Sequence, residues 1–159
     1  DRKMNANELL EAIYSESAKG TFPKPKTLTH FVGGNTGSSL AEVEAVRSGG
    51  LQVRQGWTSI NEMLPNRPLG VFFWGEEMAE HGHLDSRIQV SVIDLDTDKL
   101  FAFPSELARA ANAKCCGREL IAEAIEVMAL AQPVPYSEYL GTFAAEWIYT
   151  EEVPSTIIK

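Results

Sequence analysis

Four short runs of β-branched and aromatic residues constrain what this chain can fold into. They lie at 27–32, 70–74, 87–94 and 145–150. Residues of this type favour strands, and the run at 87–94 also alternates apolar and polar residues, which is typical of a half-buried strand. Shorter strands are predicted at 51–54 and 99–103. Apolar residues at helical spacing predict helices at 40–48, 106–113 and 118–131. The pattern therefore predicts strands and helices mixed along one chain.

The first 26 residues have a different pattern. Leu9, Leu10 and Ile13 would share one side of a short amphipathic helix. Pro23 and Pro25 favour an extended connector after it, because each proline disfavours helix at the residue before it. The 159 residues suffice for one full hydrophobic core. One compact domain is the expectation.

Composition narrows the class of protein. The chain is 44% hydrophobic, which is too apolar for intrinsic disorder, and it has no apolar run long enough to span a membrane. The sequence predicts a soluble protein with no membrane partner. The formal net charge is -8, and all of the net acidity lies after residue 75. An acidic chain disfavours a general nucleic-acid coat protein, and the acidic stretch 76–106 is a candidate surface for a basic partner.

Three familiar chemical motifs are absent or weak. The glycine-rich loop 33–39 lacks the lysine of a nucleotide-binding phosphate loop. His81, His83 and Asp85 alternate as metal ligands could, but they lie in an acidic stretch that favours a solvated loop. No Gly-x-Ser-x-Gly hydrolase motif occurs. We expect no metal and no hydrolase triad.

Glu146 is the residue that least fits its surroundings. It lies within the strand-type run 143–149, where a carboxylate is costly unless it faces solvent, a partner or a cleft. Alternation places Trp147 and Tyr149 on one face and Glu146 with Ile148 on the other. The pattern alone favours a glutamate that faces outward. The alternative is a cleft that Glu146 shares with His30 on the first strand and with the aromatic run 70–74.

Three segments in this order resemble the mono-ADP-ribosyltransferase toxins. They are 28–31 with the following helix and Gly49-Gly50-Leu51, then 70–74, then 145–149 with Val153-Pro154 and Ile157. The pair Thr29-His30 is also similar to nucleic-acid-modifying transferases of the DarT type. The resemblance covers 27–159 and implies an α+β fold of split, mixed β-sheets flanked by helices. It implies that 27–159 is the catalytic domain and that 1–26 is an N-terminal helix and connector.

The resemblance implies a site that binds NAD. Glu146 would be the catalytic residue, stabilising positive charge on the ribose. Phe72 would stack on the nicotinamide ring, with Phe73 as the alternative for that role. Thr29 and His30 would bind NAD from the first strand, His30 through the adenosine-side ribose.

Two arginines are further candidates for NAD binding. Arg54 or Arg67 could pair with the pyrophosphate, because a guanidinium makes two-pronged contacts with phosphate. For each of them a structural or solvated arginine is the favoured alternative. The segment 132–143 would face the acceptor, and an ordinary connector is its alternative.

The implied activity is transfer of ADP-ribose from NAD to a macromolecule, with release of nicotinamide. Phe72 stands where the family has tyrosine, and Ala144 replaces a residue that arginine- and asparagine-modifying members carry. This favours a nucleic acid, a hydroxyl-bearing side chain or NAD hydrolysis. The resemblance implies a bacterial toxin or effector domain that is delivered from a larger secreted protein into the cytosol of a target cell, with an immunity protein or antitoxin as partner. The alternatives are an acidic binding or immunity module without activity, and an inactive fold that binds NAD.

Overall fold

The computed structural model describes residues 5–15, 19–32, 40–53, 62–76, 87–115 and 122–159. The helices in these residues are α1 (Ala6–Ile13), α2 (Leu40–Gly49), α3 (Ser105–Cys115) and α4 (Ala122–Leu130). The strands are β1 (Thr27–Phe31), β2 (Val71–Trp74), β3 (Arg87–Ser91), β4 (Leu100–Pro104), β5 (Val134–Pro135) and β6 (Ala145–Tyr149). None of the helices in the described ranges has the length and apolar character needed to cross a membrane.

The ends of the first two helices follow from local chemistry. The Asn5 side chain accepts a hydrogen bond of 2.9 Å from the Glu8 amide and so caps the start of α1. The Tyr14 hydroxyl donates to the Gln132 carbonyl over 2.8 Å and ties the end of α1 to the segment after α4. At the end of α2, Gly50 has a φ of 82° and its amide donates to the Val46 carbonyl. A residue with a Cβ is strained in that left-handed conformation, so glycine ends the helix there.

The six strands form one sheet in the order β3-β1-β2-β6-β4-β5, and the pairs between them are antiparallel. The expected α+β class is confirmed, but the mixed sheets are not, since the described strands pair antiparallel in a single sheet. Pairing between β1 and β2 is limited to Thr29 with Trp74, whereas β6 pairs along its length with β2 on one side and β4 on the other. The pairing between β1 and β2 is therefore short.

Helices α1, α3 and α4 cover one side of the sheet, the helical face. Phe103 and Ile148 point into this side and are fully buried, as is Met128 of α4. Helix α1, which the sequence pattern sets apart from the domain, contributes Ala6 to this core. Residues from the first helix and from the last strand thus take part in one packed layer.

The other side of the sheet is the aromatic face, on which Phe73, Trp147 and Tyr149 lie. Helix α2 packs here through Val43, and the segment after β6 packs here through Val153. The predicted alternation of β6 is therefore confirmed, with Trp147 and Tyr149 on one face and Ile148 on the other. Because both faces are covered, all five residues of β6 are buried.

Most predicted elements are present, but the strand predicted at 51–54 is not formed at residues 51–53. The strands predicted at 27–32, 70–74 and 145–150 and the helix at 40–48 are found within two residues of their expected ends. In place of a strand at 51–54, Leu51 makes an isolated bridge to Val153. The strand predicted at 87–94 ends at Ser91, where the chain enters a 3-10 turn. The segment 132–143, expected to be irregular, contributes the short edge strand β5.

Candidate functional site

The strands that carry the expected site residues are neighbours in the sheet. β1, β2 and β6 lie side by side, although β2 and β6 are far apart in sequence. Thr29 is paired with Trp74, and Trp74 is paired with Glu146. Residues that are directly paired across antiparallel strands point to the same face. These three side chains therefore form a row on the helical face of the sheet.

Glu146 is buried and bound to an arginine. Only 6% of the residue is exposed, and its Oε1 lies 2.9 Å from Nε and 2.8 Å from Nη2 of Arg67. The Arg67 side chain is also buried, being 7% exposed. The favoured prediction from the pattern, a glutamate that faces outward, is wrong, because the helical face over β6 is covered by protein.

Arg67 also covers the ring of Phe72. The guanidinium carbon lies 4.0 Å from the centre of the ring, a cation-π contact. Phe72 is paired with Ile148, two residues beyond Glu146 on β6, so the ring and the carboxylate share one face. Arg67, Phe72 and Glu146 form one cluster, called here the Arg67 cluster.

The backbone beside Arg67 is held from two directions. The Arg67 amide donates to the Leu64 carbonyl over 3.0 Å, which closes a tight turn, and Leu64 is fully buried on the helical face. The Asn66 side chain donates to the Ala129 carbonyl at the end of α4, over 3.3 Å. The turn is thus fixed, and the arginine extends from it over β2.

Burial and charge act in opposite directions on Glu146. Burial in the helical face raises the pKa of the Glu146 carboxyl, because a low-dielectric environment disfavours the charged form. The Arg67 guanidinium opposes this rise through its charge and its hydrogen bond. The carboxyl group is therefore more easily protonated than an ordinary glutamate, even beside its arginine.

Thr29 lies at the other end of the row. It is fully buried, and within the described part of the chain its hydroxyl oxygen has no hydrogen-bond partner. A buried hydroxyl without a partner is unfavourable, and such groups are uncommon in folded proteins. Thr29 therefore offers an unused polar group on the same face as Glu146.

His30 lies on the opposite side of the sheet. Its Nδ1 is 2.7 Å from the Phe72 carbonyl oxygen, and its ring contacts the ring of Phe73 edge-on at 5.9 Å. It lines a cavity of about 210 Å³ together with Val46 and Leu51 on the aromatic face. The structure does not bring His30 and Glu146 into one cleft, because alternate residues of a strand point to opposite faces.

The same rule places the two phenylalanines on opposite faces of the sheet. Phe73 points into the aromatic face and is 1% exposed, so it lies away from Glu146. Of these two phenylalanines, Phe72 shares a cluster with the carboxylate.

In the segment 132–143, which precedes β6, two tyrosines pack against the aromatic face of the sheet and do not lie beside Glu146. Tyr136 and Tyr139 contact Trp147, with ring centres 5.4 Å and 5.0 Å apart, on the aromatic face. Their hydroxyls donate to the carbonyls of Pro25 and Phe143. Of this segment, these two tyrosines serve the core and do not lie at the Arg67 cluster.

Several sequence candidates lie outside the described residues. They are Arg54, the glycine-rich loop 33–39, and the group of His81, His83 and Asp85. Within the described ranges, no group of three or more histidine, cysteine, aspartate or glutamate side chains is placed to hold a metal ion.

Sequence reasoning missed the partner of Glu146. The two residues are 79 positions apart, and nothing in the local pattern joins them. The available signal was indirect, since a carboxylate inside an apolar strand requires a cation or solvent, and Arg67 was already a candidate for charge pairing.

A scan against known protein families, a search of curated proteins and a search of solved structures found no match.

Proposed function

We propose that the chain is an NAD-dependent mono-ADP-ribosyltransferase with Glu146 as its catalytic residue. The observation that supports this most is the Arg67 cluster, in which a buried carboxylate and an aromatic ring on adjacent strands meet a guanidinium from the turn before β2. Each group suits one part of NAD: the carboxylate the ribose, the ring the nicotinamide and the guanidinium the pyrophosphate. The resemblance of the three sequence segments to such transferases supports the same reaction.

The reaction needs little proton chemistry from the protein. The bond between C1′ of the ribose and the nicotinamide nitrogen breaks, and its electron pair leaves with nicotinamide. A nucleophilic oxygen or nitrogen of the acceptor forms the new bond to C1′ and loses a proton to solvent. Positive charge develops on the ribose in the transition state, as in glycoside hydrolysis. The Glu146 carboxylate would stabilise that charge, and burial would strengthen the interaction.

His30 has a positioning role in this proposal. Its contact with the Phe72 carbonyl joins β1 to β2 close to the single pair of Thr29 and Trp74. It would hold the backbone of Phe72 in place from the aromatic face while the Phe72 ring acts on the helical face. The adenosine-ribose contact that the resemblance implies would require His30 to be reached from its own side of the sheet.

The acceptor in this proposal is a macromolecule, either a nucleic acid or a hydroxyl-bearing protein side chain. The similarity of Thr29-His30 to DarT-type transferases and the alanine at position 144 support this choice. The proposal extends to a toxin or effector domain that acts in the cytosol of a target cell, with a neutralising immunity protein or antitoxin. Incubation with labelled NAD and a cell extract, followed by protease or nuclease, identifies the acceptor class.

The first prediction tests the catalytic glutamate. Glu146→Gln keeps the size of the side chain and an oxygen for Arg67, but removes the negative charge. We expect release of nicotinamide from NAD to fall by at least about 100-fold, because the charge on the ribose loses its stabilising carboxylate. Chromatographic measurement of nicotinamide checks this, with circular dichroism to confirm the fold.

Glu151→Gln is the matched control. Glu151 lies just after the same strand, but its side chain is half exposed. Its Oε1 is 3.9 Å from Nζ of Lys99. It should release nicotinamide at the wild-type rate. Full activity in folded Glu146→Gln would contradict the proposed role of Glu146.

A second candidate is an NAD-binding fold without turnover. The ion pair favours it, because Glu146 already has a partner within the protein and needs no substrate to explain its burial. Calorimetry separates the candidates. Binding of NAD without nicotinamide release supports the inactive fold, and no binding at millimolar NAD supports the acidic binding or immunity module.

A further inference from the structure

The Arg67 cluster is closed in this structure. The guanidinium lies 4.0 Å from the centre of the Phe72 ring, on the surface that a planar ligand would use for stacking. The same guanidinium contacts Glu146 at 2.8 Å, so the carboxylate is neutralised by a neighbour. One arginine therefore covers both groups that the proposed function needs.

We propose that Arg67 is an anion-binding residue and that Glu146 is its internal competitor. An anion of the phosphate or pyrophosphate class would draw the guanidinium away from the carboxylate, which uncovers Phe72 and releases Glu146 at the same time. The choice of pyrophosphate rests on the proposed function. The competition itself follows from the geometry of the cluster and applies to any ligand with a phosphate group.

For the guanidinium the exchange is even, because it binds a phosphate as well as a carboxylate, through the same planar set of donors. Glu146 loses its cation in the exchange, and an unpaired buried carboxylate is strongly unfavourable, so the pair stays closed in the absence of a competing anion. Once the pair opens, the carboxylate meets the positive charge that develops on the ribose.

The movement required is that of a side chain. The backbone at residues 64–67 is held by the buried Leu64 and by the contact between Asn66 and Ala129. Rotation of the arginine about its own bonds can occur with this turn in place. Arg67 can therefore exchange partners without unfolding of the helical face.

Thr29 adds an independent observation. Its buried hydroxyl lacks a partner within the described ranges, and it lies on the helical face in the same row as Glu146. Neighbouring strands are about 4.8 Å apart, so the row from β1 to β6 spans roughly 10 Å. A phosphate oxygen beside Thr29 would supply the missing partner.

The second prediction measures anion binding directly. Inorganic pyrophosphate is titrated into the wild type, Glu146→Gln, Arg67→Met and Arg109→Met, with calorimetry as the readout. Removing the competing charge raises the fraction of molecules in which Arg67 is available, so Glu146→Gln should bind pyrophosphate about tenfold more tightly than the wild type. Arg67→Met should lose binding, and the exposed Arg109 should make no difference.

A measurement on the wild type covers the case in which a variant does not fold. The Nε proton of Arg67 is held by Glu146. Its nuclear magnetic resonance signal in the wild type should shift and exchange faster with water when pyrophosphate is added. An unchanged signal at saturating pyrophosphate, or equal affinity in the wild type and Glu146→Gln, would overturn the competition.

The outcome is separable from that of the proposed function. If pyrophosphate affinities follow the expected order but nicotinamide is not released, the competition stands and the transferase activity fails. If Glu146→Gln abolishes release without changing pyrophosphate affinity, the transferase activity stands and the competition fails.

Discussion

Glu146 shows how burial changes the meaning of a residue type. A carboxylate on a half-exposed strand is an ordinary surface group, and β6 would be such a strand if one face were open. β6 instead lies in the middle of the sheet with both faces covered. Its carboxylate must therefore be paired, and Arg67 supplies the pair. The cluster that results is the basis of both proposals.

The third prediction concerns the dependence of stability on pH. Burial raises the pKa of Glu146 in the folded protein above its value in the unfolded chain, so the folded state binds this proton more tightly. The stability gained from that proton is fully present below the unfolded pKa and is lost as the pH rises through the folded pKa. Relative to Glu146→Gln, the wild type should become less stable as the pH increases.

Urea unfolding of the two proteins between about pH 5 and pH 8 checks this slope, because the difference between them isolates one titrating group. A difference in unfolding free energy that is independent of pH would show that the pairing with Arg67 cancels the effect of burial, and one that favours the wild type as the pH rises would show that the pairing outweighs it.

Sequence reasoning singled out Glu146, Phe72 and Arg67 but did not predict the contacts among them. The apolar neighbours of Glu146 revealed that a carboxylate was out of place, and the aromatic run identified Phe72. The sides on which His30 and Phe73 lie depend on the register between strands, which no local pattern contains. The pairing of Arg67 with Glu146 depends on a turn whose position is set by the packing of Leu64 against distant helices.

At the level of elements, the start of β2 depends on a close approach to β6. A Cβ on Gly70 would lie 2.3 Å from the Tyr149 carbonyl oxygen, which is backbone and cannot move aside. The two strands pair from this point to Trp74, opposite Glu146. The glycine therefore sets the distance between the strands that carry the Arg67 cluster.

The fourth prediction follows from that contact. Gly70→Ala should reduce the free energy of unfolding by about 1–3 kcal/mol, because the added methyl group forces β2 away from β6. Gly49→Ala is the matched control, since a Cβ at Gly49 would meet nothing within 4 Å. That variant should be unchanged or slightly more stable. Equal stability of the two variants in urea unfolding would argue against close packing at Gly70.

Local patterns predicted most of the strands and helices. The β-branched and aromatic runs at β1, β2 and β6 form strands, and glycines end α2 where expected. The strand predicted at 51–54 did not form at Leu51, which pairs with no strand among the described residues and makes an isolated bridge to Val153. A short apolar run becomes a strand only when another strand lies alongside it.

At the level of the whole molecule, one sheet separates two cores. Leu28 is fully buried on the aromatic face and Met128 on the helical face. Both cores share the strands between them, so the loss of one should affect the other. The described residues are expected to unfold as a single cooperative unit.

The fifth prediction tests whether the two cores unfold together. Leu28→Ala and Met128→Ala should each cost about 2–5 kcal/mol through the cavity that they leave. Ile93→Ala, at a site that is 91% exposed, should change stability by less than about 0.5 kcal/mol. In both core variants, near-ultraviolet and far-ultraviolet circular dichroism should report the same unfolding curve. Separate curves would show that the two faces unfold independently.

The strand order has a consequence for how the protein is made. β2 finds its long partner β6 more than 70 residues later in the chain, and β6 is also the strand that joins β2 to β4. While the chain is being synthesised, β1, β2 and β3 are complete long before the strand that closes the sheet has left the ribosome. Pairings between such distant segments form slowly. The aromatic strand Val71–Trp74 would have an open edge throughout that interval, and an open edge of this kind can pair with the wrong segment or with another chain.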